Sequence, residues 1–110
     1  MPTKIEELDE WQEKDFVSAQ KDKLVCVVEF GAPWCSACKA TEPAIVEISK
    51  AFPAVKFAKI DVAKNSALAS RMGVMSVPNI LVLNGGNIKD QIIGAVGKKA
   101  IEERIGKIVK

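Results

Sequence analysis

Cys35 and Cys38 are separated by two small residues, Ser36 and Ala37, at a point where an apolar run gives way to a helical pattern. Residues three apart at the start of a helix lie on one face, about one turn from each other, so the two sulfurs can close a small disulfide ring. Cys35 falls in the first turn, where unpaired backbone N–H groups and the helix dipole favour an anion. Such a setting lowers the pKa of a thiol and makes a thiolate available near neutral pH. Cys38, one turn further in, is expected to be more buried and to act second. The same spacing also suits half of a zinc or iron–sulfur site. A structural zinc centre takes four ligands, whereas this chain has no histidine and only Cys26 to spare. Cys26 sits inside an apolar run and reads as a small buried hydrophobe. Ligand arithmetic therefore favours redox chemistry without a metal, with a cluster bridged by two Cys-x-x-Cys pairs as the alternative.

The absence of histidine excludes a Ser/His or Cys/His catalytic pair. Three cysteines are too few, and odd in number, for a secreted disulfide framework. The expected compartment is a reducing cytosol, so a cytoplasmic location is predicted. The stretch from Met1 to Asp9 is polar and acidic, unlike a signal or transit peptide.

The elements that must position the pair follow from periodicity. Residues 3–7 are expected to form a short strand. Asp9 reads as the N-cap of a helix reaching Gln20, with Gln12 three positions on in a variant capping box. The run Leu24-Val25-Cys26-Val27-Val28-Glu29-Phe30 suits a central strand buried on both faces. Glu29 is its anomaly, because a buried carboxylate is costly unless it is partnered or protonated. Ala44, Ile45, Ile48 and Phe52 mark one stripe of a helix over about Cys35–Ala51. Pro43 inside it should kink it. Val55–Asp61 reads as a second strand, parallel to the first through a right-handed crossover. A short helix over Ser66–Met72, stopped by Gly73, precedes Val77-Pro78. Asn79–Leu83 and Ile88–Ile93 form a hairpin about the turn Asn84-Gly85-Gly86-Asn87. Ile101, Ile105, Ile108 and Val109 space a closing amphipathic helix. Its basic residues (Lys98, Lys99, Arg104, Lys107 and Lys110), interleaved with Glu102 and Glu103, read as a solvated face. Trp11 reads as core packing.

The sum is one α/β domain spanning 1–110: a parallel βαβ half followed by an antiparallel hairpin in one mixed sheet, with helices for both faces. The 110 residues suit a single core. A chain 48% hydrophobic and 27% charged, with net charge +2, is neither disordered nor polybasic. Its 16 Lys+Arg are nearly cancelled by 14 Asp+Glu, which argues against nucleic acid as a partner. No apolar run approaches a membrane span, so no membrane partner is expected.

Taken in order, several features resemble the thioredoxin family: Trp34-Cys35-x-x-Cys38-Lys39 after a buried strand with an acid, Pro43 five residues beyond the second cysteine, and the later Val77-Pro78. The likeness runs from about Thr3 to Val109. It includes Lys59-Ile60-Asp61 at the end of the next strand, Gly73 before Val77-Pro78, and Gly94 after the last strand. The resemblance implies a thioredoxin fold and a monomeric protein-disulfide reductase. Its only cofactor is its own Cys35–Cys38 dithiol/disulfide, and its partners are disulfide-containing client proteins and an electron donor of the thioredoxin-reductase type. It implies that Cys35 is the nucleophile, Cys38 the resolving thiol, and Glu29 the buried acid that accepts the Cys38 proton. Lys59 matches the lysine paired with that acid, and Pro78 the cis-proline beside the sulfurs. Trp34, Ser36, Ala37, Val77, Gly94 and Ala95 would form the docking surface around them. Five positions depart from the family pattern. Ser36-Ala37 replaces Gly-Pro, Gly31 replaces an aromatic and opens the rim, Glu29 is one methylene longer than aspartate, and Asn79 replaces threonine. The Ser36-Ala37 change admits a disulfide oxidant or isomerase of higher potential. A binding module that uses the fold without catalysis is the alternative from another class.

Overall fold

The computed structural model describes residues 7–109. Nine elements follow one another: β1 (Asp9–Trp11), α1 (Glu13–Lys21), β2 (Cys26–Gly31), α2 (Ser36–Ser49), β3 (Lys56–Asp61), α3 (Ser66–Arg71), β4 (Asn79–Asn84), β5 (Asn87–Ile93) and α4 (Lys98–Val109). The strands form a single five-stranded sheet in the order β1-β3-β2-β4-β5. β1, β3 and β2 are parallel, while β4 runs antiparallel to both β2 and β5. This is the thioredoxin fold, a parallel βαβ half joined to an antiparallel hairpin. No helix among the described residues is long and apolar enough to cross a membrane.

Alternation along β2 sorts its side chains between two cores. Cys26, Val28 and Phe30 face α1 and α3, where Phe16, Ala19, Leu68 and Ala69 cover them. Phe16 and Phe30 meet edge to face, with ring centroids 5.9 Å apart. Val27 faces the other way, into the core that Ile45, Val46 and Ile48 of α2 build with Ile101 and Ile105 of α4. Glu29 has the parity of Val27, so it lies on the α2 side of the sheet. Burial on both faces is what turns the β2 segment into an unbroken apolar run.

Two features of the N-terminal region differ from the sequence-based expectation. The strand expected over residues 3–7 lies outside the described residues, except for Glu7, which is in no strand. Asp9 does not open a helix, because Asp9–Trp11 pairs with β3 in the register Asp9↔Ala58, Glu10↔Lys59, Trp11↔Ile60. A ladder on the β3 edge, with Trp11 packed on the α1/α3 core, outweighs a local cap. The helix starts after Gln12, whose backbone N–H donates to Asp15 Oδ2 at 2.9 Å. Buried Asn65 braces this start, accepting from the Glu13 N–H and donating to Gln12 Oε1, both at 3.0 Å.

The remaining elements fall close to their expected places. The hairpin turn carries positive φ at Gly85 (67°) and Gly86 (87°), the pair of left-handed residues that a two-residue turn matched to strand twist requires. Arg104 does more than face solvent. It grips Asp90 of β5 through two hydrogen bonds of 2.8 and 2.6 Å, which fastens α4 to the sheet edge. Pro43 lies inside α2 and has no N–H to donate to the Lys39 carbonyl.

Candidate active site

β2 ends at Gly31, and the chain turns through Ala32-Pro33-Trp34 before α2 begins. Cys35 is the N-cap of that helix in extended conformation. Its Sγ accepts the Cys38 backbone N–H at 3.1 Å. A side chain that accepts a first-turn N–H is what an N-cap does, and here the acceptor is sulfur. Cys35 and Cys38 form a disulfide, with Cα atoms 5.3 Å apart. Both are largely buried, Cys35 at 9% and Cys38 at 6% exposure, in a small cluster with Ala32, Ala37, Val62 and Val77.

Of the expected docking residues, Ala37 packs against this cluster. Val77 packs on it directly. The Val77–Pro78 bond is cis, Pro78 is buried, and the Pro78 carbonyl accepts the Gly94 N–H at 2.9 Å, which holds the strand-end glycine beside the proline. Trp34, 72% exposed, stands out immediately before Cys35. Ser36 and Ala95 are exposed, and Ala37 is half-buried. The third thiol, Cys26, lies in the α1/α3 core, where burial pushes its pKa up to about 11.

Below Cys38 is a cleft of about 220 Å³ lined by Glu10, Glu29, Gly31, Cys38, Glu42, Lys59 and their neighbours. Gly31 permits the close approach here. A Cβ at this position would stand 3.2 Å from both the Cβ and the Sγ of Cys38. Glu29 forms the inner wall at 3% exposure, and its Oε2 has no hydrogen-bond partner. Burial, reinforced by the negative charge of Glu42 and opposed by Lys59, raises its pKa from an ordinary 4.5 to about 8. A carboxyl in this state carries its proton at neutral pH and exchanges it just above.

The sheet register places Lys59 opposite Glu29 on one side and opposite Glu10 on the other. The Lys59–Glu29 pairing implied by the resemblance is nonetheless not the one formed. The Lys59 ammonium lies 3.1 Å from Glu42 Oε2 and 3.4 Å from its Oε1. Partial burial works against the charge on Lys59. The Glu42 hydrogen bond and charge, with Glu7 and Glu10 further off, outweigh that and hold its pKa above the ordinary range. Lys59 thus reaches Glu29 only through space. Glu42 is the residue that sequence reasoning missed. Its signal was its place four residues after Cys38, which puts both on one face of α2. Glu10 was missed because its segment was read as helix.

Comparison with known proteins agrees with this geometry. The thioredoxin family model matches residues 6–107. Thioredoxin M4 of Arabidopsis thaliana, a chloroplastic protein, is 38% identical over 97 residues, or 87% of this chain and 48% of that protein. The chain thus spans about half the length of that relative. Thioredoxin of Bacillus subtilis is 36% identical over 91 residues, covering 82% of this chain and 88% of that one. Among solved structures, oxidized mitochondrial thioredoxin 3 of Saccharomyces cerevisiae superposes with a TM-score of 0.83 at 28% identity, covering 91% of this chain and 94% of that one. The sulfur pair at the start of the helix that leaves the central strand stands where its spacing places it, and with these matches the chain belongs to the thioredoxin family as a dithiol–disulfide oxidoreductase.

Proposed function

We propose that Cys35 is the attacking sulfur, Cys38 the resolving one and Glu29 the proton acceptor for the second step, in a cycle that reduces client proteins. The observation that carries this reading is the Cys35 Sγ at the N-cap of α2, accepting the Cys38 N–H. A backbone donor and the helix dipole both stabilise negative charge at that atom. In the first step the Cys35 thiolate attacks a client disulfide. A Cys35–client bond forms, the client's own S–S bond breaks, and the released client thiolate takes a proton from water. In the second step the Cys38 thiol passes its proton to the ionised Glu29 carboxylate. The Cys38 sulfur then attacks Cys35 Sγ, the Cys35–Cys38 bond forms, and the second client thiolate leaves. Two electrons have moved from the pair to the client. A donor of the thioredoxin-reductase type returns them, and in that direction protonated Glu29 re-protonates Cys38. A carboxyl titrating at about 8 serves both directions because neither of its states is remote at working pH.

Trp34, Ser36, Ala37, Val77, Pro78, Gly94 and Ala95 receive the client. Ala37 and Val77 pack on the sulfurs, and the set as a whole is apolar or small, which suits an extended client segment laid across it. The dithiol is the only redox group needed, and the cytoplasm is the compartment that suits the buried free thiol of Cys26. Insulin-disulfide reduction, run with several electron donors, tests activity and partner together. Reduction that needs Cys35 and is sustained by a reductase supports the reading, and reduction that survives Cys35→Ser overturns it. A measured potential near about −270 mV places the protein as a reductant, whereas one near about −180 mV or above makes it an oxidant or isomerase.

A further inference from the structure

Three observations about the cleft do not fit a simple buried acid with a lysine partner. Lys59 is opposite Glu29 in the sheet, yet its ammonium is spent on Glu42. Glu29 is left with an orphaned, buried Oε2, and it lines the cavity. Glu42 is held in place from two sides, by Lys59 and by the backbone N–H of Leu8, which donates to Oε2 at 3.4 Å. It lies on α2 four residues after Cys38, and both line the same cleft.

We propose that Glu42 is a positioning residue for the resolving step: it holds the Lys59 ammonium away from Glu29 and, as a second carboxylate in the same cleft, governs how readily Glu29 gives up and takes back its proton. This rests on the reading of Glu29 as the acceptor of the Cys38 proton. Each packed element contributes charge to the balance. α2 brings Lys39 and Glu42 beside Cys38, β3 brings Lys59 and Asp61, and β1 brings Glu10. Across the sheet on the β4 side, Glu29 pairs with Ile80, which carries no charge. Of these groups only Glu42 both opposes the ionisation of Glu29 directly and engages the lysine opposite it in the sheet. Removing its charge acts twice in the same direction. One repelling carboxylate disappears, and Lys59 is freed to turn to the carboxyl opposite it. Both changes favour ionised Glu29.

The test is Glu42→Gln, with Glu42→Asp as the charge-preserving control. Two readouts are taken on the full chain. The first is the pH titration of the Glu29 carboxyl by ¹³C NMR. The second is the pH profile of the resolving step, followed as release of a thiol from a preformed Cys35 mixed disulfide. For Glu42→Gln the carboxyl midpoint falls by about one pH unit or more. The resolving step at pH 7 speeds up by about threefold to fivefold, as the ionised fraction of Glu29 rises from about a tenth towards a half. Glu42→Asp stays near the unsubstituted protein in both. A carboxyl midpoint unchanged in Glu42→Gln overturns the inference, as does a fall in Glu42→Asp as large as that in Glu42→Gln, which would make the effect one of shape rather than charge. A midpoint that falls while the rate profile stays put upholds the hold of Glu42 on the Glu29 proton and overturns Glu29 as the acceptor in the resolving step.

Discussion

The two faces of β2 bury titratable groups with opposite consequences. Cys26, at the start of the strand, lies in the α1/α3 core among Phe16, Val28 and Leu81, and burial alone lifts its pKa to about 11. Glu29, three residues on and on the other face, is also buried, but a cleft opens onto it and five charged side chains (Glu10, Lys39, Glu42, Lys59 and Asp61) share that cleft. Desolvation acts on both groups in the same sense, disfavouring the charged form. For the thiol, which starts high, the result is an inert core sulfur. For the carboxyl, which starts low, the same force delivers a proton-exchanging group close to neutral pH. Burial therefore makes a group chemically useful only when its starting point and its access allow it. One strand supplies both outcomes because alternation sends the two side chains to different faces.

The largest effect that can sharpen this contrast comes from the cysteines. Cys35→Ser is expected to reduce insulin-disulfide turnover by at least about 10³-fold. Cys26→Ala, in the same assay, leaves turnover unchanged. If Cys26→Ala lost activity as Cys35→Ser does, the division of the strand into an inert face and a working face would be broken.

Glu29→Gln should act on stability as well as on rate. The folded-state pKa of about 8 lies above the ordinary 4.5, so the folded protein holds the proton more tightly than the unfolded chain. The favourable contribution is complete below about pH 4.5 and is lost as pH rises through about 8. At about 1.4 kcal/mol per pH unit, the burial of this carboxylate costs on the order of 5 kcal/mol at pH 9. Removing the charge should recover much of that. Denaturant unfolding at pH 9 and pH 5 checks it: Glu29→Gln is markedly more stable than the parent at pH 9 and close to it at pH 5. Equal differences at the two pH values would contradict the raised pKa. In the same variant the release of client from the Cys35 mixed disulfide slows more than the initial attack, as stopped-flow measurement of each step would show.

Cys26→Ala is expected to lower stability by about 1–2 kcal/mol, the transfer and cavity terms for one buried sulfur, with no dependence on pH between 5 and 7, below the range in which an unfolded cysteine ionises. Gly31→Ala is the mildest change. Its new methyl meets Cys38 Cβ and Sγ at 3.2 Å, so the sulfur must yield by a few tenths of an ångström. The resolving step slows by a few-fold, again read from mixed-disulfide release, and stability stays within about 1 kcal/mol of the parent.

Much of this was legible before any coordinates, for reasons that can be assigned residue by residue. The unbroken run around Val27 and Val28 announced a doubly covered central strand, and Gly85-Gly86 announced the hairpin, because each pattern has few structural solutions. Cys35 and Cys38 were legible because a three-residue spacing at a helix start leaves little freedom. β1 was not legible. A three-residue edge strand has no periodicity of its own, and only pairing with Ala58, Lys59 and Ile60 overrides the helix-like cap signal at Asp9. The fate of Lys59 was also hidden. Register put it beside Glu29, but the choice between two carboxylates depends on where α2 lies over the sheet, which no local pattern encodes. Glu42 could have been found by stepping one helical turn from Cys38.

The central claim is that the start of α2 stabilises negative charge on Cys35. It is tested most directly by following thiolate absorbance against pH in the reduced protein carrying Cys38→Ser, where Cys35 is the only active-site thiol. The account predicts that Cys35 ionises well below the value of about 8.5 for a free cysteine, because a backbone N–H and a helix terminus face its sulfur. Ionisation at or above the free value would contradict it.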